Sequence, residues 1–206
     1  MKLFASTQPV FCGLALAVLT GASGCATVET SLQTSWQKLT RVGQPAAVVV
    51  PVFSQAALPA AVQVPRGFQV GLETMGAGDI TYQCRAKADS TPGTAWVLSK
   101  VDLKLSDLAD AAVITYTGPP ATFAHVDGST VTATAVATAP SPAGNLPMQL
   151  FRVNPADKLG AMMGMTHIQR VDTVGGTPPN APCEATVINT MAKVPFKAKY
   201  VFYRSL

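Results

Sequence analysis

The residue types of a serine hydrolase occur together in one short stretch of the chain. His125, Asp127 and Ser129 occupy every second position, and residues two apart share one face of a strand. Asp127-Gly128, however, lies between two runs of alternating apolar residues, which is a strong hairpin signal. The chain also contains no G-x-S-x-G nucleophile elbow. We therefore predict a turn here, keep His125 and Asp127 as candidate ligand-binding residues, and assign no catalytic residue.

A second pair of candidates follows further along the chain. Arg170 and Asp172 are two residues apart in a predicted strand, and on one face they could hold a polar ligand. The alternative is an ion pair, which contributes little to stability at a surface. Gly175-Gly176 does not resemble a phosphate loop, because neither a helix nor a Lys-Ser/Thr pair follows it.

Soft ligand atoms are concentrated just before Arg170. Met162, Met163, Met165 and His167 lie within six residues, and thioethers with imidazole are ligands that select Cu(I). Methionine is equally a common filler of irregular gaps in a core, and the sequence holds no second Met/His cluster. We therefore predict no metal and no cofactor, and keep His167 as a candidate ligand-binding residue.

The elements that would position these residues follow a period of two. Alternating apolar residues predict about nine strands, at residues 68–73, 80–85, 95–99, 112–117, 130–135, 148–153, 166–171, 185–189 and 196–203. Turn signals rich in Gly and Pro separate them, among them Gly76-Ala77-Gly78. Only residues 105–110 and 155–163 have a helical pattern. The fold class is therefore all-β, a β-sandwich or a partly open β-barrel.

The amino terminus has the layout of a secretory signal. A cationic start at Lys2 precedes an apolar run at residues 10–20, and small residues then lead to Cys25. This predicts a signal peptide at 1–24, lipidation of Cys25, a Pro-rich tether at 25–60 and a β-domain at 61–206. We expect an exported protein, in the periplasm or at the outer membrane as a lipoprotein. The alternative is simple cleavage after Ala22, Gly24 or Ala26, which would leave a secreted protein.

The remaining cysteines and the charge restrict the function further. With Cys12 and Cys25 assigned to the signal, Cys84 and Cys183 are an even pair in an oxidising compartment, which favours one disulfide. The alternative, two thiolates in a metal site, needs further ligands that have no suitable spacing here. The net charge is +4, and the basic residues are scattered, whereas nucleic-acid binding needs a clustered basic face.

Several short strings together resemble a known family. They are Val64-Pro65-Arg66-Gly67, Tyr82-Gln83-Cys84, Trp96, Gly118-Pro119, Asp127-Gly128-Ser129, Leu146-Pro147, Ile168-Gln169-Arg170-Val171 with Thr173, Gly175-Gly176, Pro179, Cys183, Val194-Pro195-Phe196, Tyr200 and Phe202-Tyr203. From Val64 to Tyr203 the chain is similar to a secreted family of bacteria and fungi known as domain of unknown function 3455. The resemblance implies that Cys84 and Cys183 belong to a shared framework, and it implies no reaction. The chain departs from the family pattern in three places: the resemblance leads us to expect His where the chain has Thr115, and Trp near Phe123 and at Met148.

Taken together, these features predict an exported binding or structural module of the cell envelope. Its partners would be the membrane, through the lipid anchor, and an envelope protein or a small ligand, but no nucleic acid. The alternative is a secreted hydrolase-type enzyme with a polar site around Arg170, Asp172 and Asp127.

Overall fold

The computed structural model describes residues 53–87, 92–156 and 158–206 of the chain. The predicted signal peptide, Cys25 and most of the predicted tether lie outside these residues. In the described ranges, no helix is long and apolar enough to cross a membrane.

Eight antiparallel strands form one closed β-barrel. They are β1 (Phe68–Ala86), β2 (Thr94–Ser106), β3 (Ala112–Gly118), β4 (Ala121–His125), β5 (Thr130–Ala139), β6 (Met148–Val153), β7 (Met165–Gly175) and β8 (Met191–Ser205). Each strand pairs with the next in sequence, and β8 pairs with β1 to close the sheet. Because the strands alternate in direction, Cys84, Gly118 and Pro147 lie at one end, which we call the disulfide end. His125 and Ser129 lie at the opposite end.

The barrel is filled by the inward-facing side chains of all eight strands. Phe123 lies among the aromatic rings of this core, with its ring centroid 5.9 Å from that of Tyr200 and 5.6 Å from that of Phe202, both edge to face. At the opposite end the loop before β7 places the fully buried Met162 against this core. The interior is therefore a packed core, as expected for a barrel of eight strands.

The all-β class and the single disulfide are confirmed, and of the two predicted architectures the sheet forms the β-barrel, which is closed and not partly open. Cys84 and Cys183 are bonded, with their Cα atoms 5.4 Å apart. The bond joins the end of β1 to the loop between β7 and β8, at the mouth of the barrel.

Two of the nine predicted strands form one continuous strand. Gly76-Ala77-Gly78 is not a turn but the middle of β1. A Cβ atom on Gly76 would lie 2.8 Å from Cε2 of Tyr200, and one on Gly78 would meet the backbone of β2. The glycines are required here because neighbouring groups approach the strand closely.

Three further predictions of local structure were wrong. The predicted strand at 185–189 is a short 3-10 helix, Ala185–Val187, with no buried residue, so its apolar pattern has no inner face. Residues 105–110 are the end of β2 and a turn, and the described part of 155–163 consists of turns and bends. Strand β4 was missed because it has only five residues between two turns.

A segment at residues 53–64, here called the N-terminal strap, packs on the outer face of β5 to β8. Its Val62 and Val64 are buried in a second hydrophobic cluster with Leu150 and Val201. Residues from Phe53 onward therefore belong to the packed body, although part of this range was assigned to the tether.

One buried polar side chain of the barrel wall holds the strap in place. Gln169 Nε2 donates to Val62 O at 2.6 Å and to Gln55 Oε1 at 2.9 Å. Tyr203 Oη donates to Gln169 Oε1 at 2.6 Å. Burial, followed by the nearby Glu73 carboxylate, raises the pKa of Tyr203 to about 12, so its hydroxyl stays protonated as the donor.

The close approach at Gly76 leads to a stability prediction. Gly76→Ala should lower the free energy of unfolding by about 1–3 kcal/mol, because the added methyl group overpacks against a fully buried ring. Ala77→Ser, at the exposed neighbouring position, is the matched control and should change it by less than about 0.5 kcal/mol. Urea unfolding measures both. An unchanged midpoint for Gly76→Ala would show that the ring has room to move.

Candidate functional site

The most unusual polar group of the structure is Arg170, on the inner face of β7. Only 7% of the residue is exposed. One Nη2 proton is donated to Pro147 O at 2.8 Å. Nε is buried, and within the described ranges it has no hydrogen-bond partner. A buried charged group with unused donors needs a structural or functional explanation.

No carboxylate in the described part of the chain pairs with Arg170. The ion pairs found there are Lys100–Asp102, His125–Asp127 and Lys199–Glu73. The remaining contact is a cation–π contact, with Cζ of Arg170 5.5 Å from the centroid of the Phe196 ring. A buried charge is normally paired, because desolvation without a partner is costly.

Three tyrosines surround this guanidinium group. Burial raises the pKa of Tyr82, Tyr116 and Tyr200, and the positive charge of Arg170 offsets part of that rise in each. Tyr82 Oη donates to Gly176 O at 2.7 Å. The Tyr200 hydroxyl is fully buried and close enough to Arg170 for that side chain to lower its pKa, but no contact it makes with a described residue has full hydrogen-bond geometry. All three phenols are therefore neutral, and none of them compensates the charge of Arg170.

Arg170 lines a pocket at the disulfide end of the barrel, which we call the mouth pocket. Its volume is about 260 Å³. Its lining is formed by Ile80, Leu98, Val101, Tyr116, Gly118, Pro119, Ala121, Leu146, Pro147, Gln149, Arg170 and Phe196. Arg170 is the single charged side chain in this lining. The arrangement, an apolar cavity with one convergent charged group, is typical of a small-molecule site.

The rim of the mouth pocket is fixed by hydrogen bonds to the end of β7 and to the loop that carries Cys183. Leu146 N donates to Gly175 O at 3.0 Å, and Gly175 N donates to Asn145 Oδ1 at 2.7 Å. Trp96 Nε1 donates to Ala181 O at 2.8 Å. Together with the disulfide, these bonds preform the entrance.

Asp172 does not share the inner face with Arg170. The residue is exposed, and its φ of 50° lies where the pairing of β7 with β8 shifts register between Val171 and Val174. Because of this irregularity, Asp172 does not follow the alternation of inward and outward side chains along β7, and its side chain is exposed to solvent. The predicted pair on one strand face is therefore wrong, and of its two members only Arg170 lines the pocket.

His125 and Asp127 lie at the opposite end of the barrel. Asp127 Oδ1 accepts from Ser129 N at 2.9 Å and from Ser129 Oγ at 2.6 Å, and Oδ2 accepts from Ala161 N at 2.7 Å. His125 Nδ1 lies 3.0 Å from Asp127 Oδ1. These bonds hold the hairpin turn to the loop that places Met162 in the core.

This cluster does not have the geometry of a hydrolase. Ser129 is fully buried, and its hydroxyl donates to a carboxylate while accepting from Met162 N at 3.2 Å. A nucleophilic serine instead donates to an imidazole and is open to substrate. The predicted Asp-Gly turn is present, and the role of Asp127 is structural.

His167 lies at a third place, where it lines a groove of about 450 Å³ between the end of β6 and the start of β7. Arg152, Met163 and Met165 line the same groove, whereas Met162 lies in the core. Burial and, second, the charge of Arg152 lower the pKa of His167. The described residues contain no group of three or more His, Cys, Asp or Glu that could hold a metal ion. Of the three thioethers, those of Met163 and Met165 share this groove with the imidazole, and that of Met162 lies apart from them in the core.

Comparison with known proteins gives the family of the chain. The family described as protein of unknown function (DUF3455) matches residues 97–204. The chain belongs to this family. No curated protein and no solved structure matches the chain.

Four of the strings that carry the DUF3455 resemblance meet at the mouth pocket. Gly118, Pro119, Pro147, Arg170 and Phe196 all line it, although they come from distant parts of the sequence. The departures from the family pattern lie elsewhere: Thr115 is exposed, Phe123 is in the barrel core, and Met148 packs in the cluster beneath the strap.

Sequence reasoning found Arg170 but missed its surroundings. Tyr116, Tyr200 and Phe196 were placed on strands without any role. The alternation of apolar and polar residues in β3 and β8 predicts that these three side chains point inward. It does not predict that they meet around one guanidinium group.

The bonds to Asp127 predict a pH-dependent contribution to stability. Hydrogen bonds from Ser129 and from Ala161 N lower the pKa of Asp127 below its usual value of about 4. A carboxyl whose pKa is depressed by folding stabilises the fold above its unfolded pKa, and this contribution is lost as the pH falls. Asp127→Asn, which preserves a turn-forming residue, should therefore be less stable than the wild type at neutral pH, and the difference should shrink below about pH 4.

Urea unfolding across that range of pH tests the prediction. The matched control is Asp79→Asn, because the exposed Asp79 carboxylate accepts no side-chain hydrogen bond from the residues that the structure describes. A difference between wild type and Asp127→Asn that stays constant from neutral to acid pH would contradict the role assigned to this carboxylate.

Proposed function

We propose that this protein is an exported module, anchored through lipid on Cys25, that binds a small ligand in the mouth pocket. The observation that carries the proposal is the buried Arg170 guanidinium, which lines an apolar pocket and lacks a counter-ion among the described residues. A fold keeps such a group at a cost in stability. A ligand with a complementary group would offset that cost when it binds.

The rigidity of the entrance supports binding. The mouth pocket is framed by strand ends, by the Cys84–Cys183 disulfide, by the hydrogen bond of Leu146 to the end of β7 and by that of Trp96 to the loop. A preformed site loses little conformational entropy when a ligand enters.

The sequence and the disulfide support export. The charged start, the apolar run and the small residues before Cys25 form a secretory signal. A disulfide that closes 99 residues suits an oxidising compartment outside the cytosol.

The hydrolase alternative receives less support. Its residues are dispersed, with Arg170 inside the disulfide end, Asp172 on the outside and Asp127 at the opposite end. General acid–base or nucleophilic catalysis needs such groups within hydrogen-bond reach of one substrate. Binding is therefore the function that the geometry favours.

Blocking the mouth pocket tests the binding proposal. Ala121→Phe places a ring in the pocket, and Ala124→Phe places the same ring three residues along β4, away from the pocket lining. A library of small molecules is screened against the wild type by ligand-observed NMR. We expect hits that bind the wild type and Ala124→Phe alike but lose at least ten-fold in affinity for Ala121→Phe. A screen in which no compound distinguishes the two variants would refute the proposal, provided that circular dichroism shows both folded.

The lipid anchor is tested by intact-mass analysis of the mature protein made in a bacterium that exports it. We expect the chain to begin at Cys25 with the added mass of two or three acyl chains, and Cys25→Ser to lack that mass, because the thiol is the site of acylation. An unmodified chain that begins at residue 23, 25 or 27 would instead show simple cleavage.

A further inference from the structure

We infer that the ligand of the mouth pocket is a small monocarboxylate with an apolar body. This inference rests on the proposed function and names the class of ligand. It follows from the charge of the lining, from the geometry of the guanidinium group and from the size and polarity of the remaining wall.

The charge of the lining sets the charge of the ligand. Arg170 supplies one positive charge, and the other eleven lining residues are uncharged. A monoanion would neutralise Arg170 inside the pocket. A dianion would leave one negative charge desolvated, and a cation would add to the charge that is already unpaired, so both are disfavoured.

The guanidinium group sets the shape of the charged group. Arginine presents five N–H donors in a planar fork that matches the two oxygens of a carboxylate. Pro147 O holds one Nη2 donor at 2.8 Å and the Phe196 ring packs against the group, which fixes its orientation. The other N–H donors of Arg170 therefore have a fixed orientation, which two parallel hydrogen bonds to one carboxylate require.

The rest of the wall sets the body of the ligand. Apart from Arg170, Tyr116 and Gln149, the lining side chains are aliphatic, proline, glycine or phenylalanine. A volume of about 260 Å³ lies just below the usual range of drug-sized sites. The occupant is thus a compact molecule whose apolar part packs against Ile80, Leu98 and Val101 while its carboxylate meets Arg170.

Tyr200 is a positioning residue for this interaction. Its hydroxyl is buried beside the guanidinium group, and the charge of Arg170 acts on it. The ring occupies the space that Gly76 leaves free. Tyr200→Phe keeps the ring and removes only the hydroxyl next to Arg170, so it tests whether that hydroxyl orients the guanidinium group.

The test uses probes that share one body and differ in charge. The aromatic set is benzoate, benzamide, phthalate and benzylamine, and the aliphatic set is isovalerate, isovaleramide and methylsuccinate. Affinities are measured by titration calorimetry with the folded protein. We expect one or both monocarboxylates to bind at least ten-fold more tightly than the neutral, dianionic and cationic relatives of the same body.

Variants assign that preference to the guanidinium group. Arg170→Met should remove the ten-fold preference while the variant stays folded, because an apolar side chain of similar length replaces an unpaired buried charge. Arg170→Lys should keep part of it, since the charge remains without the fork. Arg152→Met, which changes an exposed arginine outside the mouth pocket, is the control and should bind as the wild type does. Tyr200→Phe should weaken the carboxylate more than the amide.

The outcomes separate this inference from the proposed function. If the amides bind as tightly as the carboxylates, if Arg170→Met binds benzoate and isovalerate unchanged, or if neither carboxylate binds, the inference is overturned. The proposed function would still stand in each of these outcomes if the screen yields other compounds that Ala121→Phe excludes. If that screen yields none, the pocket itself is not a binding site, and both fail.

Discussion

The pairing of β8 with β1 is the constraint on which the positions of the other groups depend. These two strands run antiparallel over residues 68–83 and 191–205, and β8 pairs with β7 on its other side. Closure leaves no free edge in the barrel and brings its first and last strands into one interior. The pocket exists because of this closure: Ile80 of β1, Phe196 of β8 and Arg170 of β7 line the same cavity.

The disulfide and the strap stabilise this barrel from two sides. Cys84–Cys183 joins residues 99 apart in sequence, and constraining a loop of that length in the unfolded chain stabilises the fold by at most about 4.7 kcal/mol. The strap covers the outer face of β5 to β8 and hydrogen-bonds through Gln169. The wall that carries Arg170 is therefore held at its end and on its outer face, which keeps the pocket in one shape.

Much of the fold was predictable because strands and disulfides leave local signals. The alternation of apolar residues predicted seven of the eight strands at least in part. Because Cys12 and Cys25 were assigned to the signal, Cys84 and Cys183 remained as the one pair that could form a disulfide. The errors arose where local sequence has two physical meanings. Gly76 and Gly78 suggest a turn by composition, but the tertiary structure uses their missing side chains to admit Tyr200 and the backbone of β2.

The candidate site was less predictable because it depends on closure. Spacing nominated Arg170 and Asp172 together, and alternation does not reveal the register shift that turns Asp172 outward. Nothing local shows that Tyr116, Tyr200 and Phe196 meet at one guanidinium group. Arg170 is interpreted as a ligand-binding group because it has no counter-ion among the described residues. This can be seen only in the folded barrel and not in the sequence.

Two neighbouring residues of β7 show that burial alone does not identify the candidate binding site. What identifies it is whether a buried polar group has its hydrogen-bond and charge partners. Gln169 and Arg170 are both buried, one on each face of the wall. The amide of Gln169 makes three hydrogen bonds, to the strap and to Tyr203, so it is a completed structural contact. Among the residues that the structure describes, the Arg170 side chain makes one hydrogen bond and has no counter-ion, and it lies beside an apolar cavity. A structural role alone would favour an apolar residue there, because replacing buried charges by well-packed apolar groups is often neutral or stabilising. Retaining a guanidinium group at this place, at a cost in stability, is the pattern expected where binding competes with stability.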